Sequence, residues 1–435
     1  VRRKGIDGGP PDNHDMPPDR LIFVESDTTG TGMPALTTAA RLGLEPVLLT
    51  SGPQRYTGLA DTGAEVVECD TNSFEALVDV TSRWRREIVG VTTTSEFHLL
   101  AVAELARYLG LPGNPPAAVR LCRNKAGMRG ALAAAEIGQP RFVVVRDHRR
   151  LAPTLREIGL PCVVKPVDAS GSQDVRLCRS EPQVRSHLRQ ILSTRVNARE
   201  QPSAHVALVE EYLDGPEYSV EMFSTAGVAR CVGITAKSVT GDPYFVESGH
   251  HYPAGLDPDA SRLLITTVRR ALSAVGVREG PTHTEAKLLT DRAAIVEINA
   301  RLAGGRIPEL IKLVDRIDLL EQQIRAAAGR PVDLTRLPGG DKVGGIRFLT
   351  VDTPGTVLDV AGVDQARAVP GVRRVSVPLR PGVQVNPPRS ADDRVGHVIA
   401  GGADHRSVDA SLNRATNLIR IALVPDEDAV DLTSR

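Results

Sequence analysis

Between residues 20 and 109 short apolar runs alternate with helical stretches, and this alternation constrains the fold most. Residues 20–26 (RLIFVES), 46–50, 64–69 (AEVVEC) and 88–92 read as strands. Residues 34–42, 74–87 and 96–109 carry helical spacing between them. Strands separated by a helix must cross over rather than turn back, which gives a parallel sheet with helices on both faces. The first strand opens into a loop with Gly30 and Gly32, and the sequence PGNPP at 112–116 stops the pattern and marks a boundary.

Beyond residue 117 the texture is α+β. A helix carries Lys125 and Arg129. Residues 141–145, 162–165 and 204–212 read as strands, and 181–192 as a helix. Residues 218–223 and 229–235 read as an antiparallel pair, 261–275 as an amphipathic helix, and 282–289 with 294–299 as a hairpin turning at Asp291-Arg292. After LPGGD (337–341) a third segment begins, with strands at 343–350, 372–377 and 395–400 and a helix at 407–421. The expected organisation is a disordered tail (1–19), an α/β domain (20–116), an α+β domain (117–335) and a C-terminal α+β domain (336–435).

Composition narrows the function classes. Acidic and basic side chains balance at 53 each in 435 residues, so charge gives no reason to expect a nucleic-acid partner. The five cysteines show no CxxC spacing, which argues against a zinc ribbon or a thioredoxin motif and suits a reducing, cytoplasmic location. No apolar run approaches the roughly 20 residues that span a bilayer, and the polar, Pro- and Gly-rich N-terminal stretch lacks the apolar core of a secretory signal. Lysine is scarce, with seven in the chain, while arginine carries most of the positive charge. Because the two cations differ in shape and hydration, each lysine is weakly informative.

The chemistry-bearing pattern centres on Glu285 and Glu297, twelve residues apart. On two antiparallel strands joined by a tight turn, both carboxylates can face one side. Held together they repel and need a cation. Magnesium takes hard oxygen ligands and leaves positions for substrate phosphates. Asn299 and Arg301 follow Glu297 at steps of two and share its strand face, adding a neutral oxygen and a planar cationic fork. A lone EINAR is also what a solvated strand face looks like.

Lys165 ends the apolar run CVVKP, and Ser170-Gly171-Ser172 begins five residues on. Small residues let backbone N–H groups approach phosphate oxygens. The stretch VEEYLDG (209–215) ends a strand in acids and then turns. Its backbone can offer donors and acceptors to an adenine edge, and Glu217 can take ribose hydroxyls; equally, it can be an ordinary turn.

Taken in order, Lys125 in RNKAGMR, Lys165 with its glycine loop, EEYL, and the Glu…Glu-x-Asn-x-Arg row resemble the ATP-grasp superfamily over about residues 117–330. The resemblance implies an ATP-grasp fold with a Rossmann-like N-terminal domain, a lid at about 140–212 and a C-terminal closing domain. It implies that ATP is gripped between two α+β subdomains. Lys125, Lys165, Ser170, Gly171 and Ser172 then face the phosphates. Glu210, Tyr212 and Leu213 form the adenine hinge, and Glu217 takes the ribose. Glu285, Glu297 and Asn299 hold Mg²⁺, for which Mn²⁺ can substitute, and Arg301 stabilises the reacting centre. One departure stands out: the loop reads SGSQDV, with Asp174 where related loops often have glycine, and an acid near a phosphate repels it.

The stretches FVESGHHYPAGL, GPTHTEAKL and EINARLAGG are similar to the L-amino-acid ligase branch, which joins a carboxylate to an amine. That similarity implies Glu247 and His250 beside the substrates, the first for an α-ammonium group and the second as an oxyanion donor, although His251 adjoins it. It also implies Gly304, Gly305 and Arg306 at the amine pocket, where the glycines leave room for a bulky amino acid or short peptide and Arg306 meets its carboxylate. The expected products are an amide or peptide, ADP and phosphate. Related ligases often form homodimers. The C-terminal segment, with GIRFL and PGVRRV, also resembles the closing domain of biotin carboxylases, so a bicarbonate-activating enzyme is an alternative, but no carrier-type MKM motif occurs. A catalytically silent nucleotide-binding module would predict a broken carboxylate row, and the row is intact.

Overall fold

A computed structural model describes residues 19–28, 30–197, 199–240 and 243–425. Of the expected tail at 1–19, residues 1–18 lie outside them. Arg20–Val24, Glu45–Thr50, Glu65–Glu68 and Ile88–Thr92 form a parallel sheet in which Arg20–Val24 and Glu45–Thr50 are central. These two strands are apolar without alternation because both faces are covered. Gly32–Arg41, Phe74–Ser82 and Leu99–Leu109 supply the helices. The second ends five residues before the sequence reading, and residues 84–88 close it with turn hydrogen bonds from the Trp84, Glu87 and Ile88 amides.

The centre of the molecule is an eight-stranded antiparallel sheet. Its order is Ala293–Asn299, Gly280–Leu288, Glu217–Thr225, Val228–Val239, Glu247–Tyr252, Val343–Leu349, Gly396–Gly402 and Val372–Ser376. Val343–Leu349 pairs directly with Glu247–Tyr252, so the third segment continues the same sheet. Alternation divides the two faces. Val220, Met222, Ile295 and Ile298 pack behind, against Leu264, Val268, Ala271 and Leu272 of helix Pro258–Val275. The Asp257 carboxylate caps that helix by accepting from two first-turn amides. Glu217, Ser219 and Glu221 therefore face the other way, where Glu217 lines a cleft.

A four-stranded antiparallel sheet stands across this cleft, in the order Phe142–Val145, Ala207–Glu211, Cys162–Pro166, Arg176–Cys178. Helices Leu151–Ile158 and Glu181–Ser193 cover its back. A small sheet of Gln384–Val385, Gly355–Ala361 and Arg420–Pro425 finishes the described chain. The last strand corrects the reading of a helix through residue 421. Helix His405–Leu418 stops at Ile419, whose φ of −80° and ψ of 126° are extended, and Ile421 pairs with Val360. The short apolar run IRIAL suits either state, and the open edge of Gly355–Ala361 decides it. No helix among the described residues is long and apolar enough to cross a membrane.

Candidate active site

The cleft has a volume of about 1180 Å³. It is bounded by the eight-stranded sheet, the four-stranded sheet, the C-terminal edge of the parallel sheet and residues 374–397. Every residue the sequence offers as a binding or catalytic candidate lines it except His250.

The hairpin forms as read. Gly280–Leu288 and Ala293–Asn299 pair with Glu285 opposite Glu297 and His283 opposite Asn299, so these side chains share the cleft face. Each carboxylate already has a cation. Lys237 Nζ lies 2.5 Å from Glu285 and 3.0 Å from both Glu217 and Glu247, with its own side chain 2% exposed. Lys125 Nζ lies 3.0 Å from Glu297 and donates to the Ala169 carbonyl at 2.7 Å. Burial alone would lower the Lys237 pKa, but Glu285, Glu217 and Glu247 raise it well above the usual lysine value. Glu285 and Glu247 are correspondingly held below the carboxylate range, against their own burial, by Lys237 and neighbouring histidines. Two carboxylates and an amide oxygen make an all-oxygen donor set, which suits Mg²⁺ rather than a softer metal.

His283 extends this network. Its Nδ1 is 2.7 Å from Glu221, and its Nε2 3.2 Å from Glu285. Burial lowers its pKa, but the two carboxylates outweigh this and leave it at about 10, so the ring is an imidazolium at neutral pH.

Lys165 and Glu210 come from neighbouring strands and meet at 2.8 Å, both buried. Arg129, fully buried, places its fork on Glu210 at 2.7 and 3.3 Å and donates to the Ile295 and Val296 carbonyls. Burial pushes the Glu210 pKa up, and Arg129 and Lys165 overcome it, leaving about 2. The Glu210 side chain thus ties three elements together beneath the hinge. Above it, the Leu213 carbonyl accepts from Lys287 at 3.0 Å, and Tyr212 stacks on Phe245 at 6.2 Å.

In the glycine loop, Gly171, Ser172 and Asp174 all take left-handed φ values. The Asp174 carboxylate accepts from Gln190 at 2.7 Å and does not line the cleft. The departure from glycine at 174 therefore adds no acid to the phosphate side. The Ala391 amide donates to the Gly171 carbonyl at 3.1 Å, so the C-terminal segment touches this loop.

Arg301 reaches the buried Glu96, which also accepts from Arg123 at 2.5 Å. Burial opposes ionisation of Glu96, and Arg301 with Arg123 holds its pKa at about 2. Glu247 pairs with Arg394 at 3.2 Å as well as with Lys237, so its charge is compensated before any ammonium arrives. His250 is opposite Lys237 on the same face but fully buried beneath Gly305. Its Nε2 is 3.5 Å from Glu247, and its ring meets Phe348 edge-on at 5.5 Å. Gly305 has a φ of +57°, and a Cβ there would lie 2.6 Å from His250 Nε2. It gives close approach to His250, whereas a Cβ at Gly304 would meet nothing within 4 Å.

Sequence reasoning missed Lys237, Glu96, Arg129, Arg394 and His283. A signal for the first was available. Lys125, Lys165, Lys237, Lys287 and Lys312, five of the seven lysines, line the cleft, so lysine scarcity would have singled out Lys237. Glu96 sits in a single 3-10 turn, Glu96–His98, of the N-terminal region and carries no motif.

The fold and this cleft define the ATP-grasp class. Residues 158–309 match the ATP-grasp domain family, and residues 347–424 match the L-amino acid ligase C-terminal domain 2. Over 413 residues the chain is 32% identical to the uncharacterized protein y4rH of Sinorhizobium fredii, covering 94% of this chain and 84% of that one. It is 28% identical to an alanine–anticapsin ligase of Bacillus subtilis over 270 residues, 57% of this chain and 55% of the relative. It is 25% identical to carnosine synthase 1 of Mus musculus over 245 residues, 53% of this chain and 30% of the relative. The chain thus spans about half of the first of these ligases and under a third of the second. An L-amino acid ligase from Bacillus licheniformis shares the fold with a TM-score of 0.77 at 22% identity, covering 94% of this chain and 100% of that chain. The chain belongs to the L-amino acid ligase branch of the ATP-grasp enzymes, ligases that form carbon–nitrogen bonds.

Proposed function

We propose that this ligase transfers the γ-phosphoryl group of ATP to a substrate carboxylate, giving ADP and an acyl phosphate. The amine of an amino acid or short peptide then attacks the acyl carbon. The new C–N bond forms, the C–O bond to phosphate breaks, and the amine gives up a proton. The observation that carries this reading is the gathering of Lys125, Lys165, Glu285, Glu297, Asn299 and Arg301 around one cleft.

Lys125 and Lys165 are buried ammonium groups whose carboxylate partners neutralise them in the absence of phosphate. With ATP bound, both would turn their charge to its phosphates beside the Ser170–Ser172 backbone, and 210–217 would hold the nucleoside. Glu285, Glu297 and Asn299 would hold Mg²⁺, or Mn²⁺ in its place, which offsets charge on the transferring phosphoryl group. Arg301, positioned by Glu96, would meet the charge that builds on the acyl phosphate. The depth of the cleft would keep water from that intermediate.

The test is to incubate the protein with ATP, Mg²⁺ and single amino acids in hydroxylamine, which traps an acyl phosphate as a hydroxamate. ADP, phosphate and a hydroxamate in equal amounts support the proposal. AMP and pyrophosphate as stoichiometric products sink it.

A further inference from the structure

One loop of the four-stranded layer reaches across to the parallel-sheet domain. It joins helix Glu181–Ser193 to strand Ala207–Glu211. Val196 bridges Pro202 across it, and the Asn197 amide donates to the Gln201 carbonyl at 2.9 Å. The Asn197 side-chain oxygen accepts from the Arg199 and Gln201 amides at 2.8 and 3.1 Å, the local bonding that Asn offers a turn. The Gln201 side chain then docks the loop, donating to Asn72 Oδ1 at 2.9 Å and to the Phe97 carbonyl at 3.2 Å. At the base of the loop the Asp168 carboxylate accepts from the Ala204 amide at 2.7 Å. Arg123, which holds Glu96, donates to the Asp168 carbonyl at 3.2 Å.

The docked loop carries Arg199 to the active-site cleft, which it lines together with Asp27, Thr94 and Arg301. Burial raises the Asp27 carboxyl to about 6, and Arg301 and Arg199 oppose that rise, so both guanidinium groups act on one region of the cleft. The other arginines of the cleft are engaged. Arg301 pairs with Glu96, Arg306 and Arg374 with Glu309, and Arg394 with Glu247. Lys125 and Lys165 likewise face Glu297 and Glu210. The Arg199 guanidinium makes no ion pair or hydrogen bond with a described residue. Among the described arginines of the cleft, it alone can meet an anion without first leaving a carboxylate.

We propose that Arg199 is a catalytic residue of the phosphoryl-transfer step, supplied by this loop and acting together with Arg301 on the phosphoryl group as it passes from ATP to the substrate carboxylate. In that step a carboxylate oxygen forms a bond to the γ-phosphorus while the bond from phosphorus to the bridging oxygen breaks, and ADP leaves with the electron pair. The carboxylate and the phosphoryl oxygens repel each other as they close. A planar guanidinium that donates to the phosphoryl oxygens offsets this repulsion. Because Arg199 stands on a loop that must dock through Gln201, the transfer depends on the four-stranded layer being closed over the cleft. The inference rests on the ligase reading and adds to it a cation from outside the carboxylate hairpin.

The experiment uses the whole chain with ATP, Mg²⁺ and hydroxylamine. Acid substrates are first identified by hydroxamate formation in wild type. The rate of hydroxamate formation is then measured in wild type, Arg199→Ala and Arg199→Lys at saturating ATP and acid. Arg199→Ala should lose at least about a hundredfold in kcat, the scale of removing one donor to developing charge, while its KM for ATP and its far-UV circular dichroism spectrum stay close to those of wild type. Arg199→Lys should keep part of the rate. Guanidinium ion at low millimolar concentration should restore part of the rate of Arg199→Ala, and urea at the same concentration should not; an arginine that only holds the loop would give no such response. A kcat for Arg199→Ala within about threefold of wild type, or a loss that neither lysine nor guanidinium repairs, overturns the proposal. A loss confined to acids that carry a second negative charge also overturns it and assigns Arg199 to the substrate side chain. Absence of hydroxamate with every acid in wild type overturns the ligase reading itself, and the role of Arg199 with it.

Discussion

Lys237 Nζ stands 2.5 Å from the Glu285 carboxylate, and the same ammonium group is shared with Glu217 and Glu247 at 3.0 Å. One buried lysine thus balances three carboxylates that converge from three strands. Removing it leaves unpaired negative charge in a dry site, a change that typically costs about 3–5 kcal/mol. Lys237→Met should lower Tm in metal-free buffer and give a larger Tm increase than wild type when Mg²⁺ or Mn²⁺ is added, because a divalent ion can replace the missing charge. Thermal unfolding with and without metal checks this. An unchanged Tm, or an equal metal response in both proteins, would show that Lys237 does not govern the charge of the site.

Glu297 is the second carboxylate of the proposed metal pair, and Lys125 is its cation. Glu297→Gln keeps the shape and a ligand oxygen but loses a charge. Turnover at saturating Mg²⁺ should fall by at least about a hundredfold, which is the upper end of what even outer-shell changes cost at metal sites. The far-UV circular dichroism spectrum should not change. A steady-state rate within a few-fold of wild type would remove Glu297 from the metal site.

The imidazolium of His283 makes stability depend on pH in a definite direction. Its folded pKa is raised to about 10 by Glu221 and Glu285, against an ordinary value of 6.5. The stabilisation from this group is fully present below pH 6.5 and is lost as pH rises toward 10. The expected loss is on the order of 5 kcal/mol once pH has passed through that window. Chemical unfolding at a series of pH values should show this decline in wild type and a shallower one in His283→Gln. Parallel profiles for the two proteins would mean that His283 carries no such charge.

The legible parts of this molecule were those set by local periodicity. The parallel sheet follows from alternating strands and helices, and the hairpin of the proposed metal site from a tight turn that sets Glu285 opposite Glu297 and a two-residue step that adds Asn299 to the same face. What the sequence concealed is set by tertiary pairing. Glu96 and Arg301 are 205 residues apart and meet only because the parallel sheet and the hairpin share a cleft. His250 has motif spacing to Glu247 and is opposite Lys237 on the cleft face, yet the Gly305 backbone and the Phe348 ring cover it. The end of the last helix was misread because an edge strand elsewhere in the chain recruits residues 420–425.

Gly304 and Gly305 are neighbours with opposite tolerance, and that contrast tests where the amine enters. At Gly305 a side chain meets two obstacles. The backbone φ of +57° is left-handed, which costs an L-residue roughly 1–2 kcal/mol, and the new Cβ would lie 2.6 Å from His250 Nε2 and 3.2 Å from Glu247 Oε2. Gly305→Ala should therefore lower Tm and reduce coupling of every amine, small or large, because Glu247 and His250 must shift. At Gly304 the φ is not left-handed and a Cβ has open space for 4 Å, while the residue still lines the cleft. Gly304→Ala should leave Tm within about 1 °C, since a residue that the local conformation accepts changes stability by only some tenths of a kcal/mol. Gly304→Trp projects its ring into the space the amine would use. Bulky amines should lose at least tenfold in kcat/KM while glycine and alanine lose little. The check is a panel of amines of increasing size, run with Tm for all three variants. Equal loss for small and large amines in Gly304→Trp would place the amine elsewhere in the cleft.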